Sequence, residues 1–277
     1  MREKLGIIQV RGIGDAIIAL PIAEYYNNKG LDVYFALDDR FVESFQYAAP
    51  YCKFVAVPFD SFNPDWGINN EYWYELPLKL LKDAGCNHVI SFPYHESHLL
   101  ASTKDERIHG ALKHRFDGEF EKRITDLQLF QHLKFDEYKY VTAKVPFENK
   151  WKLTINRNYE REQNLFNKLV PPGKRYVATH LEGSDVKYNP DNMNFDRDTF
   201  NVINITPDQT TNIFDWLTII ERADTVVCLD SVFCNLIEQL NIPNKKHFIR
   251  RSSIQMTPVL KNQWDYVGVE IQYGWYK

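Results

Sequence analysis

The stretch Gln9–Ala23, QVRGIGDAIIALPIA, decides how this chain is read. A strand-like lead, LGIIQV, runs into two glycines one residue apart, then a carboxylate, then an apolar helical run. Two chemistries compete for such a turn. Gly12-x-Gly14 after a strand, with Asp38 or Asp39 closing the next strand VYFALDD, matches the start of a dinucleotide fingerprint, in which the acid would hold a ribose. The small residue that this fingerprint requires further on is Ile17, whose branched side chain would hold helix and strand apart, and Pro21 removes a backbone donor from the same helix. The second reading uses every residue: the glycines turn the backbone tightly at positive φ and set Asp15 at the mouth of the helix. There Asp15 is either a plain N-cap or a group that carries chemistry.

Outward from this turn, short apolar runs alternate with longer amphipathic ones, as strands do when they cross over through helices into a parallel sheet. LGIIQV, LDVYFAL, KFVAVPF and HVISFP read as strands of an N-terminal half. Between them lie helical runs from Asp15 to about Asn28, in RFVESFQYAA with Asp38, Asp39 and Arg40 at its cap, and in YELPLKLLKDAG with Gly85 as its C-cap. After Pro93 the chain turns polar and basic, and ITDLQLFQHLKF restores a helical period. The stretch 145–161 reads as a passage between halves, and a second alternation follows through RYVATHL, FNVINI, TNIFDWLTIIERA, TVVCLD, VFCNLIEQLN and KKHFI. The pattern predicts an α/β protein of two Rossmann-like parallel-sheet domains, residues 1–150 and 151–277, facing each other across a cleft.

Composition narrows the function classes. The 277 residues are 44% hydrophobic, 25% charged and 14% aromatic, enough for two packed cores. A formal charge of −4 gives no global attraction to polyanions, so contact with nucleic acid would need a local basic patch. Cys52, Cys86, Cys228 and Cys234 form no CxxC pair and no zinc spacing, which predicts buried thiols, no disulfide and no bound metal. The N-terminal apolar run is too short for a signal peptide, and no stretch reaches the about 18 apolar residues of a membrane span. A cytoplasmic protein is expected.

Three segments, in order, carry a resemblance. RGIGDAIIALPIAEYY resembles the N-terminal signature of the heptosyltransferase-like glycosyltransferases, glycosyltransferase family nine: strand, small-residue turn, Gly-Asp, apolar run and Leu-Pro. YVATHLEGSDVKYNP is similar to the strand and loop that open the family's C-terminal domain, and ADTVVCLDSVFCNLIEQLNIP to its strand, Asp-Ser/Thr turn and helix. Val232 stands where the family usually has glycine, and Asn235 where a histidine is often found.

The resemblance implies a metal-independent, inverting glycosyltransferase of the GT-B type that takes a nucleotide-diphosphate sugar as co-substrate and no cofactor. Asp15 would be the catalytic base, placed by Gly12 and Gly14. Ser184, Lys187, Asp230, Ser231 and Val232 would hold the donor. Independently of the family, a strand ending in Asp230-Ser231 and feeding a helix offers backbone N–H groups and the positive end of a helix dipole, a diphosphate site, unless Ser231 simply caps that helix. His180 on VATHL reads as an interior histidine or a group near the diphosphate.

The basic stretch 94–116 holds His95, His98, Lys104 and Arg107. It reads as a solvated helical or loop surface, or as an acceptor platform for a phosphorylated saccharide or a hydroxymethylated DNA base. The sequence is also compatible with two rival functions: an NAD-dependent oxidoreductase or epimerase, and a non-catalytic sugar-nucleotide-binding protein.

Overall fold

The computed structural model describes residues 2–61, 71–92, 108–109, 134–183, 187–188, 199–250 and 257–267. The chain divides into two compact units, Met1–Asn156 and Arg157–Lys277.

The first unit is built on a parallel sheet of β1 (Lys4–Ile8), β2 (Asp32–Asp38), β3 (Lys53–Val57), β4 (His88–Ser91) and β5 (Ile108–His109), in the order β3-β2-β1-β4-β5. The central strand β1 is apolar and buried from Leu5 to Ile8, as strands covered on both faces of a parallel sheet are. Gly6 in that strand has a packing reason: a Cβ there would lie 3.0 Å from Leu81 Cδ1 of the helix α3 (Leu76–Asp83) and 3.2 Å from Val89 Cγ2. The helix α1 (Ile13–Asn28) is buried continuously from Ala16 to Ala23, which explains its apolar sequence on all sides. The helix α2 (Asp39–Ala48) starts at Asp38, whose side chain accepts from the Arg40 N–H, as the sequence led us to expect. One expectation fails here. Within the basic stretch read as helix or loop, Ile108 and His109 form a strand, pairing with Val89 and Ile90 of β4, because the open edge of β4 offers backbone partners that no local pattern announces.

A further helix, α4 (Phe135–Thr142), and a 3-10 turn, Phe147–Lys152, close the first unit. Lys150 in that turn and Asp136 on α4 are both fully buried and meet at 2.5 Å. Asn156 N–H still donates to Ala48 O at 2.7 Å, while Arg157 reaches Glu162 and Glu221 of the second unit, so the handover falls between adjacent residues inside the stretch 145–161.

The second unit is a parallel sheet of β6 (Tyr176–His180), β7 (Asn201–Asn204), β8 (Thr225–Leu229), β9 (Lys245–Ile249) and β10 (Asp265–Val267), in the order β10-β9-β8-β6-β7. The helices α5 (Tyr159–Leu169), α6 (Leu217–Arg222) and α7 (Val232–Gln239) belong to it. Glu238 on α7 is buried and accepts from Lys261 N–H, Asn262 N–H and Trp264 Nε1, fastening the segment that leads into β10. All four cysteines are buried free thiols. Among the described residues no helix is long and apolar enough to cross a membrane.

Each sheet reverses its winding once, between β1 and β4 in the first unit and between β6 and β8 in the second. In open α/β sheets the crevice beyond the carboxyl ends of the strands at such a reversal is where ligands bind.

Candidate functional site

At the reversal of the first sheet, β1 hands over to α1 through Gly12, which sits in the left-handed region at φ 78°, ψ 85° and is itself the N-cap. The helix begins at Ile13, so Asp15 is its third residue and not its cap. Gly14 also lies inside the helix and not at positive φ; of the pair only Gly12 uses the conformational freedom of glycine. A Cβ at Gly12 would strike Asp15 Oδ2, so this position stays bare both for its φ and for the carboxylate beside it. In the first helical turn the Asp15 carboxylate also lies in the favourable field of the helix N-terminus.

The structure adds a residue that sequence reading missed. Lys139 on α4 is fully buried, with Nζ 3.0 Å from Asp15 Oδ1 and donating at 3.0 Å to Gln9 Oε1, while Gln9 Nε2 donates to Arg11 O at 2.7 Å. The ammonium also lies 5.7 Å from the ring of Phe92, at the end of β4. The signal was present: Phe135, Tyr138, Lys139 and Thr142 fall at i, i+3, i+4 and i+7, one buried helix face with a lysine in its middle. Asp38, the acid a dinucleotide would need, is buried and engaged by Arg40 Nε and Nη2 at 2.8 and 2.6 Å and by Tyr72 OH at 3.2 Å.

At the reversal of the second sheet, β6 ends in His180 and β8 runs through Asp230 into Ser231 and α7. Ser231 is the N-cap residue, but its side chain makes no capping bond. Its Oγ instead shares a 2.8 Å hydrogen bond with His180 Nδ1, and the imidazole leans on Phe233 at 4.7 Å between centroids. Ser231 as a plain helix cap is thus overturned, because the histidine on the neighbouring strand captures the hydroxyl. Asp230 is buried, its backbone N–H held by Ile249 O at 2.9 Å, and Val232 is the half-buried first residue of α7. Asn235 Nδ2 donates back to Ser231 O at 3.1 Å. Past His180 the chain doubles back so that Lys187 stands opposite Glu182 and forms an ion pair with it. Glu182, which sequence reading did not single out, also acts on His180 by its charge. Ser184 and the basic residues His95, His98, Lys104 and Arg107 lie outside the described residues. No cluster of three or more potential metal ligands occurs among the described residues.

Burial pushes the His180 imidazole down from its ordinary 6.5 to about 4, with Glu182 opposing the change. Below about pH 6.5 the unfolded chain takes up a proton that the folded one refuses until about 4, so stability falls as pH drops through that window. The variant His180→Phe is expected to lose less stability than wild type between about pH 7 and about pH 4.5, read from urea unfolding curves. A stability difference that stays constant with pH would contradict this.

No family model matches the chain. No curated protein matches it in sequence. Solved structures do. E. coli ADP-heptose LPS heptosyltransferase II is similar over 96% of this chain and 90% of its own, at 10% identity and a TM-score of 0.55. A glycosyl transferase family 9 protein from Veillonella parvula is similar over 89% and 80%, at 10% identity and a TM-score of 0.56. E. coli heptosyltransferase WaaC, solved with ADP-2-deoxy-2-fluoro heptose, is similar over 95% and 92%, at 12% identity and a TM-score of 0.50. At these identities the likeness is one of fold. The chain has the heptosyltransferase-like α/β fold, of the GT-B class, that its three sequence segments led us to expect.

Proposed function

We propose that the protein is a glycosyltransferase that moves a sugar, with inversion, from a nucleotide-diphosphate sugar to an acceptor hydroxyl. One observation carries the reading: on a fold shared with heptosyltransferases, a carboxylate, Asp15, stands at the winding reversal of one sheet, and a strand-to-helix turn suited to phosphate stands at the reversal of the other. Asp15 takes the proton of the acceptor hydroxyl as its oxygen bonds to the anomeric carbon. The bond from that carbon to the diphosphate breaks in the same step, and the electron pair leaves with the diphosphate. The growing negative charge is met by the N-terminus of α7 and by Lys187, with Ser184, Asp230, Ser231 and Val232 shaping the donor site. No metal is required by this division of labour, and the acceptor is a saccharide. The full use of Asp38 by Arg40 and Tyr72 speaks against the dinucleotide alternative.

Because two of the similar proteins are named for ADP-heptose or were solved with an ADP-sugar analogue, ADP-sugars are the first donors to try. Thermal-shift measurements with ADP-, UDP- and GDP-sugars and with NAD(H), followed by assay of nucleoside diphosphate release, test the reading. At least one nucleotide sugar is expected to raise the melting temperature, Lys187→Ala to shrink that shift, and NAD(H) to do nothing. Stabilisation by NAD(H) alone, or by none of the nucleotide sugars, overturns the proposal, and binding without nucleotide release marks a non-catalytic binder. A salt-sensitive gel shift with duplex DNA would move the acceptor from saccharide to DNA.

A further inference from the structure

We propose that Lys139 is the positioning residue for Asp15: it grips one carboxylate oxygen from behind so that the other faces the acceptor hydroxyl. The inference rests on Asp15 being the base. Burying an ammonium completely is costly unless acceptors replace its water. Two such acceptors come from the two ends of the opening turn, Gln9 Oε1 and Asp15 Oδ1, each at 3.0 Å, and the rings of Phe92 and Phe135 lie beside the ammonium at 5.7 and 5.9 Å. The contact with Asp15 is an ion pair and not a well-aligned hydrogen bond, and Oδ1 is shielded from solvent. The 24% exposure of the Asp15 side chain therefore lies away from Oδ1. The carboxylate is divided by its surroundings into a held oxygen and a presented one.

Neighbouring charges do not duplicate this grip. Asp136, one turn earlier on α4, is closed by Lys150 at 2.5 Å, and Asp38 at the end of β2 is closed by Arg40. Arg11, on the turn itself, contributes its carbonyl to Gln9. Lys139 is the cation given to Asp15 among the described residues.

The separation of roles matters for rate. A general base works only when its accepting oxygen stays within hydrogen-bond reach of the hydroxyl, and a displacement of about 1 Å costs on the order of 10²-fold. The test uses the full chain with the donor found by thermal shift. Lys139→Met is expected to lower kcat by about 10²-fold while the KM for the nucleotide sugar stays unchanged, and Lys139→Arg, which keeps the charge, to restore part of the rate. If Lys139→Met does not fold, Lys139→Gln takes its place.

A second readout needs no turnover. In protein carrying [13C]aspartate, the Asp15 carboxyl resonance, assigned by its loss in Asp15→Asn, is expected to move in the Lys139 variant while that of Asp215 stays. An unmoved resonance, a kcat within about 2-fold of wild type, or a loss of rate that Lys139→Arg does not relieve overturns the proposal. The two readings fail separately. Turnover by Asp15→Asn removes the base whatever Lys139 does, whereas an inactive Asp15→Asn beside a fully active Lys139→Met removes only the positioning role.

Discussion

Replacing Asp15 by asparagine is expected to lower turnover by roughly 10²–10⁴-fold while leaving affinity for the nucleotide sugar unchanged. The amide keeps the size of the carboxylate, so it still fits beside the bare Cα of Gly12 and still offers an oxygen toward Lys139. On the proposed mechanism, what it loses is the ability to accept the hydroxyl proton as the new glycosidic bond forms. The residues assigned to the donor, Lys187 and Asp230 to Val232, belong to the second unit, whereas Asp15 belongs to the first. Calorimetric titration of the donor beside steady-state kinetics reads both halves of the expectation. Full turnover in Asp15→Asn, or loss of donor binding in parallel with rate, would take the base role from this residue.

The second large effect is on stability. Asp136→Leu is expected to destabilise the first unit by about 3–5 kcal/mol, because it leaves the Lys150 ammonium buried without its anion. Both side chains are fully buried and their contact ties α4 to the 3-10 turn, which itself packs against α1. The double variant Asp136→Leu/Lys150→Met is expected to regain most of the loss, since well-packed apolar groups replace a buried ion pair at little cost. Urea unfolding of the two variants and of Lys150→Met closes the cycle. A single variant within about 1 kcal/mol of wild type would show that water or another anion reaches Lys150.

Much of the fold was legible because it rests on local pattern. The apolar runs of β1, β2, β4, β6 and β8 mark strands buried on both faces, and helix ends are marked by the Asp38 cap and by Gly85, which stands at positive φ one residue past the C-cap Ala84. The candidate site was legible only where its residues sit on one continuous segment, as in GIGDA and LDSVF. Lys139 lies 130 residues along the chain from Gln9, and nothing near Phe135 says which acid it will meet. Ser231 shows the same limit in reverse. As a strand-to-helix serine it carries every local sign of a cap, yet a histidine 51 residues earlier takes its hydroxyl. The glycine pair was read as one unit, whereas sterics at the turn demand φ above zero only at Gly12. β5 was invisible because two residues completing a sheet edge have no periodicity to detect.

The grip of Lys139 on both Gln9 and Asp15 has a consequence for how the opening turn is held. A single cation that contacts the chain before and after a tight bend closes it into a ring from Gln9 to Asp15. The bend is then braced from outside, by a helix far along the chain. Ile17 and Pro21 lie past this ring, buried inside α1, and pack there as ordinary residues of an interior helix.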